Sequence, residues 1–348
     1  MNLYLTSPGK LSRRDNTLQF RKFELPEEYV LSEEECPLPE DQANGPTHNL
    51  PVETIDAIYL FGETRLNTKL LTFLAQKNVP VHIFNYWGHH TGSFMPHAGQ
   101  LSGDLVIEQG QAFRDPERRL TICKAIADAK MHNAISVLAY YRRRHKEVEN
   151  TESQLRELRT QAAAATSPGE LMGFEGMCAR IYYGSWRHWL CDTPEDFTRV
   201  YHPPDNPVNA MISFLNSLLY TACVSELHRT ALYPGISYLH APQSRRFSLA
   251  LDLVEPFKPL MVDRLIFRLF NQGDIAKADF APHSNGVLLK DDARRRVLQA
   301  WDAQLKTTVK HPALNRSVSY RQLIRLDCYK LIKHLLEAAQ LQMYRIAY

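Results

Sequence analysis

The local sequence pattern changes near residue 98, and this change limits what the chain can fold into. Before it, short runs of β-type residues, such as MNLYLTS and TLQF, are separated by turn residues. After it, apolar residues recur at the three- and four-residue spacing of amphipathic helices. We therefore predict an α+β protein, in which a small β-rich domain (residues 1–97) precedes a larger, all-helical domain (residues 98–348).

Capping residues mark the starts of helices in both domains. In the β-rich domain, Asn67 is suited to cap one helix with the sequence TKLLTFLAQKN. In the helical domain, Asp115, Ser167 and Asn206 each precede a proline. This pairing is typical of a helix start. The first N–H groups of a helix have no acceptor within it, so proline, which lacks an N–H, fits there without the loss of a hydrogen bond.

Composition excludes several classes of protein. No run of about 18 apolar residues is present, so we expect no membrane-spanning segment. The N-terminal residues lack the hydrophobic stretch of a signal peptide. The six cysteines are scattered and form no CxxC pair, which argues against a zinc ribbon or a disulfide framework. We therefore expect a cytoplasmic protein.

Residues 233–264 carry the chemistry that most constrains function. They contain His240, followed by Asp252 and Glu255 within the apolar run LALDLVEPF. Buried carboxylates are costly unless they are paired, and two acids three residues apart share one face of a helix. A divalent metal ion, with the imidazole of His240, would satisfy all three groups. Pro256 is predicted to disturb the helix at Glu255.

Ion pairs offer a simpler explanation for the same acids. Asp252 could pair with Arg245 or Arg246, and Glu255 could pair with Lys258. Such a set of histidine and carboxylates is structural more often than it is metallic. From the residue chemistry alone, both interpretations stay open.

Asp263 is predicted to lie apart from this pair. In a continuous helix it would share the face of Asp252 but lie roughly 16 Å further along the axis. That separation is too large for both carboxylates to bind one ion. We therefore interpret Asp263 as an ion-pair or helix-packing residue.

A third acid, Glu175, falls within the apolar stripe of the helix that follows Ser167. A carboxylate in such a stripe needs a partner. Arg180 is near in sequence, but it lies five residues further on and off the same face. A metal ion shared with His240 and Glu255 is the alternative, and the residues alone do not decide between these two.

Charge is distributed unevenly along the chain. The net charge is only +3, but bases cluster at residues 142–146, 245–246 and 294–296. Clusters of this kind are what contact with phosphate groups requires. They also occur on solvated helix faces, so no single cluster identifies a nucleic-acid site.

Several motifs together resemble one known family. LMGFEGMCARIYY resembles its glutamate motif, NPVNAMISFLNSLLY its Asn-Pro-x-Asn helix, and residues 233–264 its histidine–acid motif. LSRRDNTLQF and AIYLFGETRLNTKLL resemble its β domain. Over essentially its whole length, the chain thus resembles the CRISPR-associated integrase and endonuclease family, the spacer-acquisition nuclease common to CRISPR adaptation modules.

The resemblance implies which residues form the active site. Glu175, His240 and Glu255 match the three metal-ligand and catalytic positions of the family, and Asp252 matches an auxiliary acid. Two carboxylates and one imidazole, without a thiolate, suit Mg²⁺ or Mn²⁺. The candidates for DNA contact flank these ligands, and they are Arg245, Arg246 and Lys258.

The resemblance also implies an activity and partners. Relatives join the 3′-hydroxyl ends of short foreign DNA to the repeat array by transesterification, and the same site can hydrolyse a phosphodiester. Relatives dimerise through the β domain and assemble with a small second protein of the adaptation complex. We therefore expect double-stranded DNA, a homodimer and this small subunit as partners, and no membrane. A repair nuclease acting on branched DNA and a non-enzymatic DNA-bending scaffold are the alternative interpretations.

Overall fold

The structure is a computed structural model, and it describes residues 1–23, 45–85, 87–96, 102–142, 148–201, 203–242, 246–283, 286–311 and 314–347. The chain divides into two compact units, Met1–Gly99 and Gln100–Tyr348. Strands dominate the first unit and helices dominate the second, which confirms the predicted α+β class.

The first unit contains two four-stranded sheets. Its strands are β1 (Asn2–Leu5), β2 (Gly9–Arg14), β3 (Thr17–Lys22), β4 (Thr47–Pro51), β5 (Ala57–Leu60), β6 (Thr64–Arg65), β7 (Val81–Phe84) and β8 (His90–Phe94). One sheet has the order β1-β5-β7-β8, with its first three strands parallel and β8 antiparallel to β7. The other has the order β4-β3-β2-β6 and is antiparallel except for the β2–β6 pair.

Helix α1 (Thr68–Gln76) packs into the core of this unit. As predicted, Asn67 caps it: the side-chain oxygen accepts a hydrogen bond of 2.9 Å from the N–H of Leu70. Leu70 is fully buried and belongs to one hydrophobic cluster with Leu18 of β3 and Ile58 of β5. The helix therefore covers apolar side chains from both sheets.

The second unit is built from nine helices and two β-hairpins within its described residues, so it is mostly helical, and the hairpins correct the prediction of an all-helical domain. The helices are α2 (Gly103–Arg114), α3 (Pro116–Arg142), α4 (Val148–Ala163), α5 (Pro168–Gly184), α6 (Pro207–His228), α7 (Ser248–Val254), α8 (Arg264–Asn271), α9 (Asp291–Lys306) and α10 (Tyr320–Glu337). The hairpin strands are β9 (Phe280–His283), β10 (Gly286–Leu289), β11 (Thr308–His311) and β12 (Arg316–Ser319).

The helix starts predicted from capping residues are confirmed. The carboxylate of Asp115 accepts the N–H of Glu117 at 3.0 Å, at the start of α3. The side chain of Ser167 accepts the N–H of Glu170 at 3.2 Å in the first turn of α5, and that of Asn206 accepts the N–H of Asn209 at 2.9 Å in the first turn of α6. The local sequence therefore determines where α3, α5 and α6 begin.

Helix α6 is both long and apolar. By length and composition alone it could cross a membrane, which the sequence analysis did not anticipate. However, 78% of its most apolar 18-residue window is buried inside the protein. It packs against α7 and α10, and this burial accounts for its composition.

The chain after α7 changes its helical pitch twice. Residues Glu255–Phe257 form a 3₁₀ turn and Lys258–Asp263 form a π-helix before α8 begins. Pro256 explains the first change, because its ring and its missing N–H are incompatible with a continuing α-helix. The predicted disturbance at Glu255 is therefore confirmed. The assumption of one continuous helix as far as Asp263 was wrong.

A buried carboxylate joins α6 to α10. Glu226 is fully buried and accepts hydrogen bonds of 2.6 Å from Arg321 and from Arg325. We expect Glu226→Ala to lower the free energy of unfolding by about 3 kcal/mol, because it removes a buried partner from both arginines. Chemical denaturation followed by circular dichroism measures this loss.

The matched control for this prediction is a carboxylate in an exposed pair. Glu337 lies 3.8 Å from Lys333 at the end of α10, and both side chains are more than half exposed. We expect Glu337→Ala to change the stability by less than about 0.5 kcal/mol. Equal losses for the two variants would contradict the structural role of Glu226.

Candidate metal centre

Asp252 folds a loop onto α7. Its Oδ2 accepts the N–H groups of Tyr238 at 2.6 Å and Leu239 at 3.0 Å. Its Oδ1 accepts the N–H of His240 at 2.9 Å and lies 2.8 Å from Nδ1 of the His240 ring. The protein itself therefore satisfies this buried carboxylate. Asp252 requires no metal ion, contrary to the expectation that one ion would compensate all three groups.

This contact also sets the direction of the His240 ring. An ionised carboxylate has no hydrogen to donate, so Nδ1 of His240 carries the hydrogen of this contact. Nε2 then bears the lone pair of the neutral ring, and it lies 3.8 Å from Oε1 of Glu255. Metal-binding histidines are commonly oriented by such a carboxylate. Burial lowers the pKa of His240, but Asp252 and Glu255 outweigh this and raise it above its ordinary value.

Glu175 and Glu255 come from different helical segments but meet at one lysine. Glu175 lies on α5, between the buried residues Leu171 and Cys178. The ammonium of Lys130, on α3, contacts Oε1 of Glu175 and lies 2.5 Å from Oε2 of Glu255. The structure therefore brings together Glu175, Glu255 and, through Glu255, the imidazole of His240.

Glu255 and Lys130 are both held in their ionised forms. Burial acts to raise the pKa of Glu255, but Lys130 and Lys258 outweigh it and hold the pKa well below its usual range. Burial acts to lower the pKa of Lys130, but Glu255 and Glu175 hold it well above its ordinary value. Two carboxylates and two ammonium groups thus compensate each other in a space that water reaches poorly.

The donor set fits a hard divalent cation once one group moves. Two carboxylates and one imidazole nitrogen are ligands that Mg²⁺ and Mn²⁺ accept. The ammonium that bridges the two glutamates shows that the point between them favours positive charge. Within the residues that the structure describes, no three acidic, His or Cys side chains form a ready-made metal site. An ion can enter only if Lys130 leaves this point.

Asp263 lies beside this centre. The residue is buried and lines a narrow cleft together with Lys130, Glu175 and Lys258. In the described part of the chain, its Oδ1 atom has no hydrogen-bond partner, so the ion pair that the sequence suggested is not formed at this atom. Burial raises the pKa of Asp263 to about 7, against the opposing effects of Tyr182, Lys130 and Lys258.

Two residues of α3 were missed in the sequence analysis. Lys130 supplies the bridging charge, and Asn133 lies about one turn further along the helix. The Asn133 amide donates to the carbonyls of Pro256 at 2.7 Å and Tyr344 at 3.0 Å. Its oxygen accepts the N–H of Ile346 at 2.8 Å. The available signal was weak, because Lys130 and Asn133 lie in a stretch of helix that also carries the polar residues Asp128 and His132.

The three candidates for DNA contact differ in their surroundings. Lys258 places its ammonium 2.6 Å from Oε1 of Glu255, which is the ion pair considered as the simpler explanation. Arg246 is exposed. Arg245 lies outside the described residues. Lys258 is thus part of the centre itself, and contact with DNA stays a prediction for all three.

Comparison with known proteins identifies the family of this chain. A family model described as CRISPR associated protein Cas1 matches residues 3–303. A CRISPR-associated endonuclease Cas1 from Haloferax volcanii is 42% identical over 335 residues, which is 96% of this chain and 95% of the relative.

Two solved structures share the fold. A Cas1 protein from Thermotoga maritima is 32% identical, with a TM-score of 0.81 and 100% of both chains covered. A casposase bound to an integration product is 21% identical, with a TM-score of 0.79, and the match covers 100% of this chain and 96% of the casposase. At that identity the casposase supports the fold alone. The match to the family model and the identity to the relatives confirm the resemblance, and the chain belongs to the Cas1 family of CRISPR-associated proteins.

Proposed function

We propose that this protein is a metal-dependent DNA endonuclease and integrase of CRISPR adaptation, with Glu175, His240 and Glu255 as the ligands of Mg²⁺ or Mn²⁺. The observation that carries the proposal is the meeting of Glu175 and Glu255 at a single positive charge, next to an oriented imidazole. Membership of the Cas1 family supports it, as does the name endonuclease given to the Haloferax volcanii relative.

The reaction exchanges one phosphodiester bond for another. The 3′-hydroxyl of a short DNA attacks a phosphate of the repeat DNA, a new phosphorus–oxygen bond forms, and the bond to the 3′-oxygen of the attacked strand breaks. That oxygen leaves as a new 3′-hydroxyl and takes up a proton. The number of phosphodiester bonds is unchanged, so no other energy source is required. When water attacks instead, the same site hydrolyses the strand.

The residues of the centre divide this task. Glu175 and Glu255 supply anionic oxygens, and His240 supplies the Nε2 lone pair whose direction Asp252 fixes. A bound divalent ion would neutralise charge on the attacked phosphate and lower the pKa of the attacking hydroxyl. The ammonium of Lys258 lies beside the carboxylate of Glu255 and adds positive charge where a phosphate would approach.

The proposed substrates and partners follow from family membership. They are double-stranded DNA as spacer precursor and repeat, a second copy of this chain, and the small second subunit of the adaptation complex. We assign dimerisation to the β-rich unit and catalysis to the helical unit. We assign the protein to the cytoplasm, the compartment in which it would meet DNA.

The metal ligands are tested by strand joining. We expect Glu175→Gln, His240→Asn and Glu255→Gln each to reduce joining by on the order of a hundredfold or more, because each removes a ligand of the ion. The assay combines a short duplex that has free 3′ ends with repeat DNA and Mg²⁺ or Mn²⁺. Addition of EDTA should abolish joining by the wild type.

The control for these variants lies on the same helix as Glu175. Glu170 is exposed and contacts Thr166 at the start of α5, so Glu170→Gln should retain the wild-type rate. Joining that survives in all three ligand variants would refute the assignment. Cleavage of branched DNA without selectivity for the repeat would favour a repair nuclease, and DNA binding without metal-dependent turnover would favour a scaffold.

The role of Asp252 gives a separate prediction. Asp252→Asn turns one of the two accepting oxygens into an NH2 donor, so the side chain can no longer accept the loop N–H groups and the Nδ1 hydrogen of His240 at the same time. We expect joining to fall about 10- to 100-fold, as for other groups that orient metal ligands. If Asp252 acts through the ring, the same change in a His240→Asn background should cause little further loss. A full additional loss in that background would contradict the positioning role.

Arg246 is the exposed candidate for contact with the DNA backbone. If it contacts one phosphate, Arg246→Gln should weaken binding for all sequences and reduce the salt slope of the binding constant by about 1. Fluorescence anisotropy at a series of salt concentrations measures this slope. Arg156, which pairs with Glu152 on α4, provides the matched control in Arg156→Gln. An unchanged slope for the Arg246 variant would remove this residue from the DNA interface.

A further inference from the structure

The ammonium of Lys130 occupies the point that a metal ion would need. It contacts Glu175 and lies 2.5 Å from Oε2 of Glu255, so it holds the two carboxylates together in the metal-free protein. A divalent cation and an ammonium group cannot share that point, because they would repel each other at contact distance. Metal binding therefore requires a second position for the lysine side chain.

The cleft beside the centre contains a suitable second position. Asp263 is buried there, its Oδ1 lacks a hydrogen-bond partner in the described part of the chain, and Lys130 lines the same cleft. We propose that the ammonium of Lys130 alternates between two sites: the Glu175–Glu255 pair in the metal-free protein and the carboxylate of Asp263 when a metal ion is bound. This inference rests on the proposed metal site.

Other groups near Asp263 are less able to fill this role. Lys258 already pairs with Glu255 at 2.6 Å. Arg199 donates to Asn209 at 3.1 Å and has further contacts on α6. Tyr182, which also lines the cleft, is neutral and can offer a hydrogen bond but no charge. Lys130, in contrast, contacts both glutamates, so an ion bound between them would take over both of its present partners.

The charges of the two states balance. In the metal-free state, burial raises the pKa of Asp263 to about 7, so a fraction of this carboxyl carries a proton near neutral pH. In the metal-bound state, the ion compensates the two glutamates, and Lys130 compensates an ionised Asp263. Any proton on Asp263 leaves to solvent. The protonated fraction of Asp263 needs no positive partner in the metal-free state, and in the metal-bound state each of the three carboxylates has one, which is the arrangement that burial favours.

Mn²⁺ binding to the full chain tests the proposal without recourse to activity. Isothermal titration calorimetry with MnCl₂ compares the wild type with Lys130→Met, Asp263→Asn and the double variant. We expect Lys130→Met to bind Mn²⁺ on the order of tenfold more tightly, because no ammonium must be displaced. Asp263→Asn should bind on the order of tenfold more weakly, because the displaced ammonium has no anionic partner.

The double variant separates this mechanism from a general change in charge. If Asp263 acts by receiving Lys130, Asp263→Asn should alter the affinity by less than about twofold once residue 130 is methionine. Lys124→Met is the control on the same helix, because the Lys124 ammonium donates to the carbonyl of Ala163 at 2.8 Å and not to the glutamates of the centre. This variant should bind Mn²⁺ with the affinity of the wild type. Circular dichroism in EDTA verifies that each variant is folded. If Lys130→Met does not fold, Lys130→Gln takes its place in the comparison.

Two results would overturn the inference while leaving the metal site intact. One is unchanged or weaker Mn²⁺ binding by the Lys130 variant. The other is an equal effect of Asp263→Asn in both backgrounds. A wild-type protein that binds no Mn²⁺ would refute the proposed metal site itself, and the inference would fall with it.

Discussion

The second unit depends on the compensation of negative charge at its centre. Glu175 and Glu255 lie on segments that are distant in the sequence, and α3 delivers a positive charge between them. Removing this charge would leave two carboxylates repelling each other across a helix interface. The packing of α3 against α5 and against the turn after α7 is therefore coupled to the electrostatics of the site. A fold arranged in this way keeps the proposed metal ligands Glu175 and Glu255 close together in the metal-free protein.

Asp252 and Glu255 illustrate how two similar acids acquire different roles. They are three residues apart in one apolar run, and residue chemistry alone made both of them candidate metal ligands. The fold directs the N–H groups of a loop at Asp252, which becomes a structural group and an anchor for the ring of His240. Glu255, placed at the proline-induced 3₁₀ turn, instead faces Lys130 and the free nitrogen of that ring.

Features that depend on neighbouring residues were predictable from the sequence, and features that depend on distant contacts were not. Asn67, Asn206 and Pro256 act within one helical turn, so their effects follow from local geometry. Lys130 lies 45 residues from Glu175 along the chain, and nothing near it in the sequence marks its partners. The location of Asp263 was likewise hidden, because this residue ends a π-helix, which alters the rotation about the axis.

Asn133 explains why a two-position lysine need not disturb the surrounding fold. Its amide joins α3 to the carbonyl of Pro256, the residue after Glu255, and to the C-terminal segment at Tyr344. The backbones that carry Lys130 and Glu255 are thus fixed to each other by a buried, fully engaged side chain. A change of partner by Lys130 then involves only the four carbons of its own side chain. The energetic cost of the movement is confined to rotamers and charges, and the frame that holds the ligands stays in place.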